Sequence, residues 1–83
     1  MRKFNIPSIS ALSAFEAAAR HESFALAAKE LSLTESAISR QISTLESNLG
    51  VRLFVRNKQR VILTRAGSLY ASRIREPMAA LDR

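Results

Sequence analysis

Residues 24–49 read FALAAKELSLTESAISRQISTLESNL and contain two helical patterns separated by a very short break. The first pattern follows Ser23, a candidate N-cap, and repeats apolar residues at i, i+3, i+4 and i+7. The second begins after Thr34, also a candidate N-cap, with Glu35 in its first turn, where the helix dipole favours an acid. Gly50 is the stop signal for this second helix. The apolar positions are Phe24, Ala27, Ala28 and Leu31 in the first pattern, and Ile38, Ile42, Leu45 and Leu49 in the second.

The break consists only of residues 32–34. A connection this short forces two helices to cross steeply, which predicts a helix-turn-helix over residues 23–43. We expect Ala27 and Ala28 to permit close approach of the helices, and Leu33 to fill the space beneath the turn. An ordinary αα-corner without a ligand has the same spacing, so the spacing alone leaves both interpretations open.

The polar face of the second helix favours a function in DNA binding. Solvated helix faces usually carry many Lys and Glu, whereas this one has short hydrogen-bonding side chains and a single arginine. Short side chains let a helix approach base edges in the major groove, where Arg reads guanine and Ser or Thr contacts bases or phosphates. We therefore predict that residues 35–49 form a recognition helix. The candidate DNA-contacting residues in this region are Ser23, Thr34, Glu35, Ser36, Ser39, Arg40 and Ser43.

A basic hairpin pattern follows the recognition helix. From Val51 the apolar period changes from 3.6 to about two, and two short β-rich runs flank residues 57–59. Such a run of cations is by itself usually a solvated hairpin. Behind a helix-turn-helix, however, it becomes a wing (residues 51–63) that contacts phosphates or the minor groove. Its candidate DNA contacts are Arg52, Arg56, Lys58 and Arg60, and no acid occurs between Arg52 and Arg65.

Two further helical patterns frame this unit. Ser8 can cap a first helix whose apolar residues are Ile9, Leu12, Phe15 and Ala18. Thr64 can cap a fourth helix, in which Pro77 is expected to kink or end the helical structure. The apolar stripe of the fourth helix is too long for one small domain, so we favour a dimer interface over an intramolecular core. This predicted interface consists of Leu69, Tyr70, Ile74, Met78 and Leu81.

Composition suggests a polyanionic partner and argues against catalysis. Among 83 residues, 13 Lys and Arg against 7 Asp and Glu give a net charge of +6, which suits nucleic acid or an anionic membrane surface. With no cysteine, one histidine and two glycines, the chain offers no disulfide, metal site, Ser/His/Asp site or glycine-rich phosphate loop. We therefore expect no enzyme activity, no cofactor and no metal. Neither a signal peptide nor a membrane span is recognisable, so we expect a cytoplasmic, nucleoid-associated protein.

Short motifs run in order along almost the whole chain. They are Phe15-Glu16, Ser23-Phe24, Ala27-Ala28, Leu31, the run from Ser36 to Ile42, Leu45-Glu46, Leu49-Gly50, Leu53-Phe54, Arg56, Leu63-Thr64 and Ala66-Gly67. In these motifs and their spacing the chain resembles the N-terminal DNA-binding domain of LysR-type transcriptional regulators. Ile6-Pro7 and the run RHESF at residues 20–24 look most like the subgroup similar to glycine-cleavage and β-lactamase-gene activators.

The resemblance implies a mainly α fold. A winged helix-turn-helix of three helices and a short β-hairpin would occupy residues 1–63, followed by a linker helix, residues 64–83, that pairs two protomers. Double-stranded DNA with a dyad-symmetric promoter site would be the partner. Full-length members commonly form tetramers and add an effector-binding domain, absent from these 83 residues, that would take up a small-molecule effector.

By family analogy, the start of the recognition helix meets the major groove and the wing around Arg56 reaches the backbone or the minor groove. The implied groove contacts are Thr34, Glu35, Ser36, Ser39 and Arg40. Glu35 departs from the family pattern, because many members carry Gln there. An acid at this position can accept from cytosine N4 but also repels phosphate, so its role as a base reader stays open.

Two alternatives from other classes remain. A winged-helix module that binds protein or RNA without DNA sequence specificity would give no footprint on a dyad-symmetric site. A basic amphipathic membrane-surface protein would show lipid-dependent helicity, although the apolar stripes here are short, separately capped and consistent with a mutual core.

Overall fold

A computed structural model describes residues 8–58 and 60–81, with side chains described as far as residue 74. In chain order it contains α1 (Ile9–His21), α2 (Phe24–Leu31), α3 (Glu35–Leu49), β1 (Phe54–Asn57), β2 (Arg60–Leu63) and α4 (Arg65–Leu81). Three helices, a β-hairpin and a fourth helix are the mainly α architecture that the sequence predicts.

Each of the first three helices begins at the hydroxyl side chain that the sequence marks as its cap. The side-chain oxygens of Ser8, Ser23 and Thr34 each accept a hydrogen bond of 3.0 Å from the backbone N–H three residues further on. These N–H groups lie in the first turn, where no helical carbonyl can reach them. The helix starts are therefore fixed by local chemistry.

The turn between α2 and α3 closes through the backbone. Ser32 has a left-handed conformation (φ 57°), and the N–H of Leu33 donates to the carbonyl of Ala28 at 2.9 Å. The prediction that Leu33 fills the space beneath the turn is wrong, because its side chain is 44% exposed. Ala27 and Ala28 are buried, and side chains this small let the helices themselves close that space.

The core is aromatic at its centre and alanine-rich on one side. The ring of Phe15 lies with its centroid 5.4 Å from those of both Phe54 and Tyr70, so α1, the wing and α4 meet at one residue. The predicted apolar face of α1 is wrong at its start, since Ile9 is 63% exposed. Small side chains on α1 allow neighbouring backbones to approach closely, so the helix instead buries Ala11, Ala14, Phe15, Ala17 and Ala18.

The wing is a two-stranded antiparallel hairpin in which Phe54 pairs with Leu63 and Asn57 with Arg60. Phe54 and Val61 are buried against the core, whereas the outward-facing pair formed by Val55 and Ile62 is exposed. Strand β1 starts at Phe54, whereas the β-rich run of the sequence begins at Arg52. Residues 52 and 53 bond to α3 and α4 instead of to the partner strand.

Thr64 precedes α4 and caps it, since its Oγ1 accepts from the N–H of Gly67 at 2.9 Å. The helix continues past Pro77 to Leu81, so the expectation that it could end at Pro77 is wrong. Proline has a helical φ, and its place within a helix removes one backbone donor without preventing the chain from continuing. Within the described part of the chain, no helix combines the length and the apolar character that crossing a bilayer requires.

Candidate nucleic-acid interface

Helix α3 presents a polar face opposite its anchored side. Ile38, Ile42 and Leu45 are buried in the core and fix the rotation of the helix about its axis. The predicted groove contacts Thr34, Glu35, Ser36, Arg40 and Ser43 are all exposed, while Ser39 is half-buried. The structure therefore gathers the predicted contacts of this helix on one accessible surface, which we call the α3 polar face.

Arg40 is the only cation on the α3 polar face. Among the described residues, no carboxylate lies within ion-pair distance of its guanidinium. Its donors therefore remain available to an external acceptor, and a guanidinium can bond two acceptors on a guanine edge at once.

Ser23 and Thr34 have a structural role in addition to the predicted one. Each hydroxyl oxygen already accepts a backbone hydrogen bond at the start of its helix. A hydroxyl has one donor proton as well as its lone pairs, so both side chains keep a donor for a phosphate oxygen. Ser23 is half-buried and Thr34 is exposed.

The four predicted cations of the wing are not equivalent in the structure. Lys58 lies at the hairpin tip, is exposed, and adopts a positive φ of 62°. The guanidinium of Arg56 lies 4.9 Å from the centroid of the Phe24 ring, a cation–π contact that steadies the side chain without neutralising it. Both cations keep their charge available to a polyanion.

Arg52 and Arg60 instead lie near acids. Arg60 is ion-paired with Glu22, whose backbone carbonyl also accepts from the N–H of Val61 at 3.2 Å. Arg52 Nε lies 3.8 Å from Glu46 Oε1. Sequence reasoning missed the Glu22 contact because the two residues are separated by 38 positions and only folding brings them together.

Glu46 joins α3 to the wing. Its Oε2 accepts hydrogen bonds from the backbone N–H groups of Leu53 at 2.7 Å and Phe54 at 3.2 Å. The sequence places this acid near the end of a helix, but no periodicity or spacing indicates that its carboxylate reaches the start of a strand.

A cluster of charges links the ends of α1 and α2. Arg20 bonds to Glu16 at 2.8 Å and to Glu30 at 2.9 Å, and His21 Nε2 lies 2.7 Å from Glu30 Oε1. Hydrogen bonds from Arg20 and then from His21 lower the pKa of Glu30 to about 2, and Arg20 also lowers the pKa of Glu16. The cations of this cluster are paired with its own acids, so the cluster is not a second basic surface.

The residues of the predicted dimer interface on α4 differ in their exposure. Leu69 is 59% exposed, whereas Tyr70 and Ile74 are half-buried and pack against the core of the same chain. The preference for a dimer interface over an intramolecular core therefore needs correction at Tyr70 and Ile74, because the wing and α1 leave an apolar surface that these side chains cover. Burial raises the pKa of the Tyr70 hydroxyl. Met78 and Leu81 lie outside the residues with described side chains.

Comparison with known proteins gives consistent matches. The model of the family described as "Bacterial regulatory helix-turn-helix protein, lysR family" matches residues 9–68. The HTH-type transcriptional regulator DsdC of Escherichia coli K12 is 56% identical over 59 residues, which cover 71% of this chain and 19% of that protein. The glycine cleavage system transcriptional activator of the same strain is 45% identical over 76 residues, which cover 92% of this chain and 25% of that protein. The chain thus spans a quarter or less of the length of these relatives.

Among solved structures, the crystal structure of a CbnR_DBD–DNA complex superposes with a TM-score of 0.84. Its sequence is 33% identical, and the alignment covers 92% of this chain and 87% of that chain. The similarity therefore extends over nearly the whole chain.

Proposed function

This chain belongs to the lysR family of bacterial regulatory helix-turn-helix proteins, and we propose that it binds a dyad-symmetric promoter site with α3 in the major groove and the wing against the backbone. It is the DNA-binding domain of a transcription regulator and not an enzyme. The observation that carries the proposed geometry is the α3 polar face, whose short hydroxyl side chains and Arg40, which has no acid partner among the described residues, lie opposite the buried anchor of the helix.

In the proposed complex, the α3 polar face reads the base edges. Arg40 donates two hydrogen bonds to a guanine, because its guanidinium has no competing carboxylate among the described residues. Ser36, Ser39 and Ser43 are short enough to let the helix enter the groove and bond bases or phosphates. Glu35 accepts from a cytosine amino group or contributes only to the start of the helix.

The wing supplies the contacts that do not depend on sequence. Lys58 and Arg56 neutralise phosphates or enter the minor groove, because both are exposed and carry no acid partner among the described residues. Arg52 and Arg60 contribute less, since nearby carboxylates already offset part of their charge. Ser23 and Thr34 donate their hydroxyl protons to the backbone of the same site.

The chain divides into a DNA-binding unit and a helix that pairs two protomers. Residues 1–63 form the winged helix-turn-helix unit, and the helix over residues 64–83 pairs two protomers through Leu69, Met78 and Leu81, while Tyr70 and Ile74 pack against the core of their own chain. A small-molecule effector would act through a further domain of the kind found in full-length members, whose dimers assemble into tetramers. Such a regulator acts in the cytoplasm, where the chromosome is accessible.

Selection of bound duplexes from a random pool tests this function directly. We expect enrichment of two inverted half-sites separated by about one helical turn, 10–10.5 base pairs, or a multiple of it. A preferred guanine in each half-site that disappears with Arg40→Ala would identify the base that Arg40 reads. Recovery of unenriched sequences would favour the alternative, a winged-helix module that binds protein or RNA without DNA sequence specificity.

A salt titration tests the wing. Each phosphate that a cation neutralises adds about one to the magnitude of the negative slope of log K against log salt. Lys58→Ala removes one such contact, so it should reduce that magnitude by about one on selected and random duplexes alike. Arg73→Ala, which removes an exposed cation from α4, is the matched control and should leave the slope close to that of the unaltered chain. Equal slopes for all three proteins would remove the wing from the interface.

A further inference from the structure

We propose that Glu46 is a positioning residue for DNA binding, whose carboxylate fixes the wing at a set angle to the recognition helix α3. The inference rests on the proposed function, because it concerns how the wing reaches the DNA that α3 reads. Glu46 itself needs no contact with the nucleic acid.

The Glu46 carboxylate lies against the backbone at the start of the wing. One oxygen, Oε2, accepts from two consecutive backbone N–H groups, those of Leu53 and Phe54, at 2.7 and 3.2 Å. The Glu46 side chain is only 15% exposed, so little water competes for these donors. Hydrogen bonds to an ionised acceptor are roughly twice as strong as neutral ones. The carboxylate therefore binds the chain at the point where the wing begins.

The same segment is held from its other side by the start of α4. Thr64 Oγ1 donates to the carbonyl of Arg52 at 2.6 Å, and the N–H of Thr64 donates to the carbonyl of Leu53 at 2.9 Å. Gly67 leaves room for this approach, because a Cβ there would lie 2.1 Å from the Leu53 carbonyl oxygen. Residues 52–54 are thus bonded to α3 on one side and to α4 on the other.

This double attachment decides where the wing tip lies. A strand rises about 3.3 Å per residue, so Lys58, four residues beyond Phe54, is about 13 Å from the attachment point. A tilt of about 15° at residues 52–54 would displace the tip by about 3 Å, the length of a hydrogen bond. Small rotational freedom at the base of the wing is therefore enough to break a phosphate contact at its tip.

Whether replacement of Glu46 strengthens or weakens DNA binding distinguishes a positioning role from a purely electrostatic one. An acid near a DNA surface opposes binding, so removing its charge alone should strengthen binding. A positioning role predicts the opposite for any change that loses the two hydrogen bonds. Glu46→Gln keeps an acceptor oxygen at the same reach, whereas Glu46→Asp keeps the charge and withdraws it by one methylene.

The experiment measures the dissociation constant and salt slope of these variants on a random-sequence duplex and on a duplex from the selection. We expect Glu46→Ala and Glu46→Asp to bind about five- to tenfold more weakly, because the displaced wing tip loses its phosphate contact. Glu46→Gln should bind at least as tightly as the unaltered chain. Asn48→Ala, an exposed change on the same helix, is the control and should have no effect. Circular dichroism checks that each variant is folded. If Glu46→Ala unfolds, the comparison uses Glu46→Asp alone.

A double-mutant cycle with Lys58→Ala provides the decisive readout. In the Glu46→Asp background the wing tip no longer holds its contact, so Lys58→Ala should change the salt slope by much less than one. If Lys58→Ala keeps its full effect in that background, or if Glu46→Asp binds as tightly as the unaltered chain, the positioning role is overturned. If Lys58→Ala has no effect on the unaltered chain either, the proposed wing contact itself fails, and the positioning role fails with it.

Discussion

At the scale of single residues, Arg40 is the side chain whose replacement most directly tests sequence reading. Because it is the one cation of the α3 polar face, Arg40→Ala should cost about 1–3 kcal/mol on the selected site and relax the base preference at one position. Competition between selected and random duplexes measures this loss. Equal affinity of Arg40→Ala and the unaltered chain for both duplexes would contradict the assignment of α3 as the recognition helix.

At Gly67, the addition of a single methyl group should destabilise the folded chain. A Cβ at this position would lie 2.1 Å from the Leu53 carbonyl oxygen and 2.9 Å from the Leu63 side chain, and the first of these atoms is backbone. Gly67→Ala should therefore lower the free energy of unfolding by about 1–3 kcal/mol or more. Urea denaturation measures the change, with exposed Ser68→Ala as the control. Equal stability of the two variants would contradict the close approach of α4 to the wing.

At the scale of elements, the contact between α1 and α2 depends on ionised acids. Hydrogen bonds from Arg20 and His21 hold the pKa of Glu30 at about 2 in the folded chain, below the ordinary value of 4.5. A pKa lowered by folding means that this stabilisation is present above pH 4.5 and is lost as the pH falls towards about 2. The attachment of the two helices should weaken across that window.

The prediction is that Arg20→Gln removes part of this acid dependence. Its midpoint of thermal unfolding should fall less between pH 4.5 and pH 2 than that of the unaltered chain, because the acids then titrate close to their ordinary values. The difference should shrink in high salt, since the groups involved are exposed. Arg73→Gln is the control for loss of one cation. An identical acid dependence in all three proteins would show that the cluster adds nothing to stability.

At the scale of the whole molecule, the proposed dimer should depend on Leu69. Leu69 is exposed in the single chain, so Leu69→Glu should not disturb the core but should oppose pairing of two α4 helices by introducing like charges. Sedimentation equilibrium should show a weaker dimer, and affinity should fall more on a dyad-symmetric duplex than on one half-site, because linked sites raise the effective concentration. Ser68→Glu, which adds the same charge at the neighbouring exposed position, is the control. Equal weakening by both variants would indicate a general charge effect and not an interface at Leu69.

The sequence by itself determined the elements and the fold class. Ser8, Ser23 and Thr34 mark the helix starts and Gly50 marks a helix end, because capping satisfies backbone groups within one turn and needs no tertiary contact. Periodicity likewise identified the buried side of α3 at Ile38, Ile42 and Leu45, which in turn indicated the polar face opposite, but it was wrong at Leu49, which is 37% exposed.

Only the tertiary structure decided how these elements are joined. The pairing of Arg60 with Glu22, the bonds from Glu46 to the start of the wing and the contact of Tyr70 with Phe15 each link two different elements. Each depends on the relative placement of separate elements, which no local pattern encodes. The sequence therefore determined which residues are candidates to face DNA, while packing decided which of the described cations lie beside an acid and how the start of the wing is bonded to α3.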